Sequence, residues 1–346
     1  MSALAEAVAA TRSARRQGTF RARSVSLLLF LAIVVLFAVS LAVGDFPVPL
    51  GDLPGLVFGG DGVGRAAYVV TELRLPRAVT GLLVGIAFGT SGALFQRLLR
   101  NPLASPDIIG VTQGASAAAV VAIVLFGAAG TVVSAAALAG ALLTGATIYL
   151  LSRRGGVHGY RLVLIGVGVG AVLTSVVSYL MTWADVTLAQ QALIWLTGNL
   201  NARTWDHAVP LAAALVVLLP AALVQSRALT GLQLGDDTAA GLGLRVERSR
   251  LALLLVAVAL AAFATAAAGP ISFVAFVANP IATRLVGGAR AGLLPAALTG
   301  ALVVLLGDFV AQHLLGEQLP VGVVTGAVGA PYLLWLLATA NRAGRV

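Results

Sequence analysis

One carboxylate and two arginines stand within or beside long apolar runs, where their chemistry would be unusual. Asp308 lies inside the apolar run VVLLGDFVAQH, and an ionisable group inside a membrane is a functional-site hypothesis by default. It could carry the proton of an ion-coupled transporter. If an arginine or backbone amides near the outer end pair with it, its role is structural, and this is the role that we expect.

Arg74 and Arg77 precede the apolar run at 78–97, on the side that the charge pattern places outside the cell. Cations are depleted on that side of a membrane protein. The two arginines are therefore interpreted either as anchors at the lipid headgroups or as cations that dock an acidic partner surface, since guanidinium groups pair well with carboxylates.

The composition excludes several kinds of chemistry. The chain has no cysteine, so it forms no disulfide and has no thiolate ligand or thiol nucleophile. All 22 basic residues are arginine, and a P-loop needs a lysine for the phosphates. The three histidines are scattered and form no metal-ligand spacing. The composition therefore excludes a standard nucleotide-binding site, thiol chemistry and a ligand-spaced histidine cluster in this chain.

The elements that must position these residues are membrane-spanning helices. Of the 346 residues, 59% are hydrophobic and 10% are charged, with a mean hydropathy of +1.00. A span needs about 20 apolar residues, and ten runs qualify, so the predicted fold is all-α and polytopic. The runs are at 25–43, 78–97, 108–126, 130–151, 161–183, 206–225, 250–268, 271–287, 293–314 and 321–340.

The formal charge of +9 follows the positive-inside rule and does not indicate a nucleic-acid partner. Eighteen arginines fall on the side predicted to be cytoplasmic, and the external exceptions are Arg65, Arg74, Arg77 and Arg203. Both termini are then cytoplasmic. The predicted organisation is an arginine-rich tail at 1–24, a ten-helix membrane domain at 25–341 and a cytoplasmic end at 342–346. The first run is longer than a signal-peptide core, so we expect it to stay uncleaved.

Two Asn-Pro sites suggest a repeat with broken helices. Asn101-Pro102-Leu103-Ala104 recurs as Asn279-Pro280-Ile281-Ala282, 178 residues later. Five spans per half is odd, so the halves would form inverted repeats, a common transporter plan in which broken helices line the path. Gly269-Pro270 is expected to open a span that breaks again at Pro280. The predicted path residues are Gln96, Asn101, Pro102, Asn279 and Pro280.

The longest internal loop, GLQLGDDTAAGLGLRVERSR at 231–250, is predicted to carry two short helices on the membrane face. Asp236 and Asp237 are placed as N-caps, and Gly241 and Gly243 are expected to break the helix. Such a loop suits contact with a cytoplasmic partner, although a solvated connector has the same composition.

These motifs together resemble the FecCD-type permeases of ABC importers. The resemblance begins with RLPR, continues with a glycine ladder (Gly81, Gly85, Gly89, Gly92) that ends at Gln96, and reaches RNPLASPDIIG. It continues with LGDDTAAGLGLRV, GPISFVAFV and LPVGVVTGAVGAPYLLWLL, in the family's order, as far as about Leu337.

The resemblance implies a permease subunit of the bacterial cytoplasmic membrane that imports ferric siderophores, with haem or cobalamin as alternative cargoes. It implies a second permease subunit, an external binding protein and two cytoplasmic ATPases that hold ATP and magnesium. This chain would then be no enzyme and would bind no cofactor directly. Arg74 and Arg77 would receive acidic residues of the binding protein. The coupling loop would fit into a groove of the ATPase, through Leu234, Gly235, Asp236, Asp237, Gly241 and Gly243.

The sequence departs from the family pattern at three positions. The usual histidine is missing between Asn279 and Arg284, and Gln312 stands where an arginine is usual. The usual Glu-Leu-Pro is spread over Glu317-Gln318-Leu319-Pro320. These departures favour a heterodimer in which a different permease supplies the missing groups.

Overall fold

The computed structural model describes residues 2–59, 64–153, 159–288, 292–315 and 318–343, and all regular elements in these ranges are helical. Glu317, one of the three histidines (His158) and the last residues of the predicted cytoplasmic end (344–346) lie outside the described residues. In chain order the helices are α1 Ser2–Ala42, α2 Leu53–Phe58, α3 Arg65–Tyr68, a π-helical segment Val69–Arg74, α4 Leu75–Leu98, α5 Val111–Phe126, α6 Thr131–Ser152, α7 Gly159–Trp183, α8 Val186–Leu196, α9 Trp205–Val224, α10 Ser226–Leu232, α11 Asp236–Gly241, α12 Val246–Ala268, α13 Val274–Val286, α14 Leu293–His313 and α15 Val321–Ala343.

Within the described ranges, seven helical stretches are long and apolar enough to cross a membrane. They are Gln17–Ala42, Arg65–Leu98, Thr131–Ser152, Gly159–Trp183, Trp205–Val224, Val246–Ala268 and Leu293–His313. Shorter apolar helices add α5, α8, α13 and most of α15. The all-α, multi-pass architecture is thus confirmed. A helix occupies each of the ten predicted positions, but the number of spans stays a prediction.

The core sits around α4, α12 and α14, the three long helices in the described ranges whose apolar windows are more than half buried. Small residues bring backbones together there, as membrane helices commonly require. A Cβ at Gly85 would lie 2.5 Å from the backbone of Ala301, and one at Gly89 would lie 2.4 Å from the carbonyl oxygen of Ala296. The glycine stripe of α4 therefore packs against α14 within the same chain.

Corresponding helices in the two halves of the chain make equivalent contacts with the opposite half. In each half a long central helix is followed by a short helix and another long one, as α4–α5–α6 and α12–α13–α14. The first central helix packs on α14, and the second packs on α6. This arrangement is the one that duplication would produce.

The two Asn-Pro sites are not equivalent within this arrangement. Asn101 and Pro102 lie in the loop after α4, whereas Asn279 and Pro280 lie inside α13. The residues that follow α12 in the corresponding place are Gly269 and Pro270. The prediction that a span breaks at Pro280 is therefore wrong. The segment 185–203, which the predicted runs at 161–183 and 206–225 leave as a connector, contains the 11-residue helix α8.

Candidate functional sites

Arg77 and Asp308 form an ion pair that joins α4 to α14 at the predicted external end. Arg77 Nη2 lies 2.6 Å from Asp308 Oδ1, and Arg77 Nε lies 2.9 Å from Oδ2. The side chains are only 17% and 12% exposed. Two parallel donors on one carboxylate fix both the distance and the orientation of the partners. The sequence interpretation left open whether Asp308 pairs with an arginine, and it does.

Asn201 extends this pair into a network that includes the loop between α8 and α9. Its Oδ1 accepts hydrogen bonds from Arg77 Nη1 and from Gln312 Nε2, the latter at 2.9 Å. Gln312 is the residue that stands where the family usually has an arginine. Here its amide is directed inward to Asn201, so the loop is fastened to both α4 and α14.

Arg74 caps the C-terminal end of α1. Its Nη1 donates to the carbonyl oxygens of Leu41 at 2.9 Å and Ala42 at 3.3 Å, and its Nη2 donates to that of Phe46 at 2.8 Å. The last carbonyls of a helix have no partner within the helix, and a cation is favoured there. This capping role was missed by the sequence interpretation, because nothing local in the sequence indicates which carbonyls Arg74 reaches.

A cavity of about 340 Å³ opens between α1, the π-helical segment and α14, and both predicted docking arginines line it. Arg65, Asp45, Asp308 and His313 contribute further charged or polar groups to its wall. The arginines are thus brought together at one concave site, although each also makes the internal hydrogen bonds described above. The arrangement offers several guanidinium donors to a carboxylate that enters from outside.

The loop between α8 and α9 carries a buried cation beside this network. Arg203 Nε donates to the carbonyl oxygen of Asn199 at 3.0 Å. Burial lowers the pKa of Arg203 to about 10, because desolvation disfavours the charged form. The backbone amide of Asn199 donates a hydrogen bond to the carbonyl oxygen of Ala268 at 2.8 Å. The loop is therefore anchored to the end of α12 as well.

Gln96 and Asn279, two of the predicted path residues, are brought together between α4 and α13. Asn279 Nδ2 donates to Gln96 Oε1 at 2.9 Å, and Gln96 Nε2 donates to the carbonyl oxygen of Phe276 at 2.9 Å. Gln96 is 4% exposed, so within this chain it is enclosed by protein. Arg97 Nη2 approaches Asn279 Oδ1 at 3.4 Å. The polar groups of this cluster join the two helices.

Asn101 and Pro102 lie apart from that cluster, in the loop at 99–110. The Asn101 side-chain oxygen accepts a hydrogen bond from the amide of Leu103 at 2.9 Å, which stabilises the turn. Arg100 adopts a left-handed backbone conformation with φ of 50° as the chain leaves α4. In the same loop, burial raises the pKa of Asp107 to about 6, and a hydrogen bond with Thr112 opposes this shift.

The predicted coupling loop at 231–250 contains one short helix, α11, because α10 ends at Leu232 just as the loop begins. The loop is joined to both central helices. Asp236 Oδ1 accepts hydrogen bonds from Arg250 Nη2 at 2.8 Å and from Arg100 Nη2 at 3.4 Å. Arg100 Nη2 also donates to the carbonyl oxygen of Leu232 at 2.7 Å. Since Arg100 follows α4 and Arg250 lies in the first turns of α12, Asp236 links α11 to both.

The ends of α11 differ from the sequence prediction by one or two residues. Gly235, with φ of 109°, occupies the N-cap, and Asp236 and Asp237 form the first turn. Their charges still favour the helix, because carboxylates near an N-terminus interact well with the helix dipole. Gly241 is the last helical residue and does not break the helix. Gly243, with φ of 82°, ends the turn that follows.

Two large apolar side chains flank α11 and are exposed. Leu234 is 60% exposed, and Leu242 is 65% exposed. Exposed apolar residues on a loop outside the spans suit burial against a partner protein. Leu242 was not singled out from the sequence, although its position after a short glycine-ended helix was a usable signal.

Comparison with known proteins gives consistent results. The FecCD transport family matches residues 31–339. The chain is 47% identical to the ferric enterobactin transport system permease protein FepG of Escherichia coli, over 82% of this chain and 86% of that protein. It is 38% identical to the iron(3+)-hydroxamate import system permease protein FhuG of Bacillus subtilis, over 90% and 96%. A solved structure described as an inward-facing metal-chelate type ABC transporter superposes with a TM-score of 0.81 and 27% identity, covering 92% of this chain and 99% of that one.

Proposed function

The chain belongs to the FecCD transport family and is a membrane-spanning permease subunit of an ABC importer, and we propose that its cargo is a ferric siderophore. The observation that carries this proposal is the 47% identity to a ferric enterobactin permease over most of both chains. The similarity to a ferric hydroxamate permease supports the same class of cargo. Haem or cobalamin would be carried by the same mechanism.

As a member of this family, the subunit works with another permease subunit, an ATPase and a binding protein. We propose that the permease partner is a different chain. Gln312 occupies the position of an arginine in the family pattern, and its side chain is hydrogen-bonded to Asn201 within this chain. A different partner chain would supply the missing docking cation. The permease pair would be served by two ATPases, and ATP and magnesium would be bound by them. The subunit would lie in the bacterial cytoplasmic membrane with both termini inside.

We propose that the external cavity lined by Arg74 and Arg77 receives an acidic side chain of the binding protein. Three arginines in one concave wall support this, since a carboxylate can be held by several guanidinium donors. Arg65 is exposed and lies over the ring of Phe46 at 5.7 Å. Arg65 and Arg74 are the stronger candidates for direct contact, because the charge of Arg77 is paired with Asp308, whereas the hydrogen bonds described for Arg74 are to neutral carbonyl oxygens.

At the opposite end, the exposed Leu234 and Leu242 would enter a groove of the ATPase, and α11 would transmit its movement. Asp236 supports this role through its link to the ends of α4 and α12. ATP binding on the partners would then move the two central helices and alternate the access of the path. This subunit makes and breaks no covalent bond.

Uptake into proteoliposomes tests the proposal. The permease pair and its ATPase are reconstituted, and the binding protein is loaded with a ferric catecholate, a ferric hydroxamate, ferric citrate, haem or cobalamin. We expect iron uptake that follows ATP hydrolysis for at least one siderophore, and none for haem or cobalamin. Uptake driven by a pH gradient without the ATPase would contradict the importer mechanism. Uptake of haem or cobalamin alone would contradict the cargo.

A further inference from the structure

A second cavity, which none of the predicted docking or coupling residues lines, lies between α6 and α12. It has a volume of about 310 Å³, and its lining is almost entirely apolar. Phe95, Ile109, Ile148 and Leu162 form a floor that is 2% exposed or less. Leu150 and Leu255, 63% and 60% exposed, form part of the rim. The cavity is therefore a groove that opens on the outer surface of the helix bundle.

The groove follows the two helices over about two turns. Each helix contributes residues at the i, i+3, i+4 and i+7 positions that mark one helical face, so the groove is ~10 Å long at 1.5 Å per residue. These residues are Leu142, Gly145, Ala146 and Tyr149 on α6 and Leu251, Leu254, Leu255 and Val258 on α12. A Cβ at Gly145 would lie 2.7 Å from the side chain of Val258, so the two helices approach closely there, while the exposed Ala146 beside it adds only a methyl group to the wall.

The position of the groove restricts what can fill it. Both helices are membrane spans by length and composition, and water is not an available partner for an apolar surface inside the hydrocarbon region. A groove with an apolar floor and an apolar rim at that depth suits a hydrocarbon chain. A phospholipid acyl chain has the required shape and chemistry.

The charged residues at one end of the groove define the headgroup. Arg153 lies one turn after Leu150 on α6, Arg161 directly precedes Leu162 on α7, and Arg248 lies one turn before Leu251 on α12. All three arginines are exposed. Leu150, Leu162 and Leu251 line the same groove. Each of the three arginines is therefore within one turn, along its chain segment, of a residue that lines the groove. Glu247, the acidic residue that directly precedes Arg248, forms an ion pair with Arg250, with 3.5 Å between Glu247 Oε1 and Arg250 Nη1.

We propose that this groove binds an anionic phospholipid, with one acyl chain between α6 and α12 and the phosphate at Arg153, Arg161 and Arg248. Basic residues between spans at the cytoplasmic side form such sites for anionic headgroups. Tyr160, which is 82% exposed beside Arg161, is the amphipathic aromatic expected at the headgroup level. The site adjoins the residues around Asp236, since Leu254 also lines the cavity that contains Arg100 and Arg250.

Lipid binding by the assembled transporter tests this proposal independently of cargo. The delipidated complex is mixed with phosphatidylglycerol or phosphatidylethanolamine, and the lipids retained are counted by native mass spectrometry. We expect at least a fivefold preference for phosphatidylglycerol. R153Q/R161Q should abolish this preference, while R23Q/R227Q, which removes two exposed arginines elsewhere on the same side, should leave it unchanged. Equal retention of both lipids by the unmodified complex, or a preference that survives R153Q/R161Q, would overturn the headgroup assignment.

The acyl chain is tested at Ala146, in the middle of the groove. A146F should reduce retention of phosphatidylglycerol at least fivefold by filling the groove. The chain has no cysteine, so A146C places a single fluorophore in this subunit, provided that the partner subunits are cysteine-free variants. Lipids with a quencher in the acyl chain should quench its emission. Unchanged retention of phosphatidylglycerol by A146F would refute the site. Emission that these lipids do not quench would also refute it, because it would show that a second protein covers the groove.

Discussion

Gln96 Nε2 lies 2.9 Å from the carbonyl oxygen of Phe276, and this carbonyl is the one that Pro280 leaves without its helical donor. In an α-helix the amide of residue i donates to the carbonyl of residue i−4, and proline has no amide hydrogen. The side chain of Gln96 on α4 supplies the missing donor. This explains why α13 continues through Pro280, and why a glutamine terminates the glycine ladder of α4.

The first prediction concerns this substitute donor. Q96L leaves the Phe276 carbonyl and the Asn279 amide without their partner, so we expect the free energy of unfolding to fall by about 1–3 kcal/mol. P280A restores a backbone amide that can bond to Phe276. Thermal unfolding of the purified complex should therefore show partial recovery in Q96L/P280A.

P210A provides the control, because Pro210 lies inside α9, away from Gln96. P210A should not recover the loss caused by Q96L. If P280A and P210A have equal effects in the Q96L background, Gln96 is not the donor that Pro280 requires.

The second prediction concerns Arg77 and Asp308. Removing one partner of a mostly buried ion pair leaves an uncompensated charge, so R77A should lower the free energy of unfolding by about 3 kcal/mol. R77A/D308A removes both charges and should be less destabilised than R77A alone. A double-mutant cycle on unfolding in denaturing detergent measures the difference, and additive effects would show that the pair is not coupled.

The apolar runs were sufficient to locate the helices, because a membrane span must satisfy a length and a composition that are both visible in the sequence. α8 was missed because its 11 residues are too short for a span and include Gln190 and Gln191, which are common in connectors. Pro280 was misinterpreted for a different reason. Locally a proline predicts a break, and the donor that prevents the break is 184 residues away in the sequence.

The candidate sites were predictable as residue types but not as contacts. Arg74 was recognised as an unusual external cation, yet its hydrogen bonds to Leu41, Ala42 and Phe46 depend on how α1 ends beside the π-helical segment. Asp236 was assigned to the coupling loop, yet its link to Arg100 depends on the left-handed turn after α4. Such contacts join segments that are distant in sequence, and no local pattern encodes them.

The third prediction concerns pH. Burial raises the pKa of Asp107 from 3.8 to about 6, so between these values the folded protein binds the proton more strongly than the unfolded chain. The free energy of unfolding therefore decreases as the pH rises from about 4 to 6, and it stays lower above that range. D107N removes the ionisable carboxyl, so it should raise the free energy of unfolding at pH 7.5 by up to about 3 kcal/mol.

Thermal unfolding of both proteins from pH 4 to pH 8 measures this effect. At pH 4 the difference between D107N and the unmodified protein should be small, and it should grow towards pH 7. A difference that does not change with pH would show that the Asp107 carboxyl titrates normally in the folded protein.

The last prediction separates the two adjacent carboxylates of the coupling loop. Asp236 and Asp237 are both exposed and both lie in the first turn of α11, but Asp236 is the one within 2.8 Å of Arg250 and 3.4 Å of Arg100. If α11 moves the central helices through this link, D236N should reduce the stimulation of ATP hydrolysis by the loaded binding protein at least threefold, while the ATPase still assembles with the permease. D237N makes the same change of charge and should keep the stimulation. R100Q should also reduce the stimulation, and the effects of R100Q and D236N should be less than additive in R100Q/D236N, because each variant removes the contact between Arg100 and Asp236. Equal effects of D236N and D237N would instead assign both carboxylates to direct contact with the ATPase.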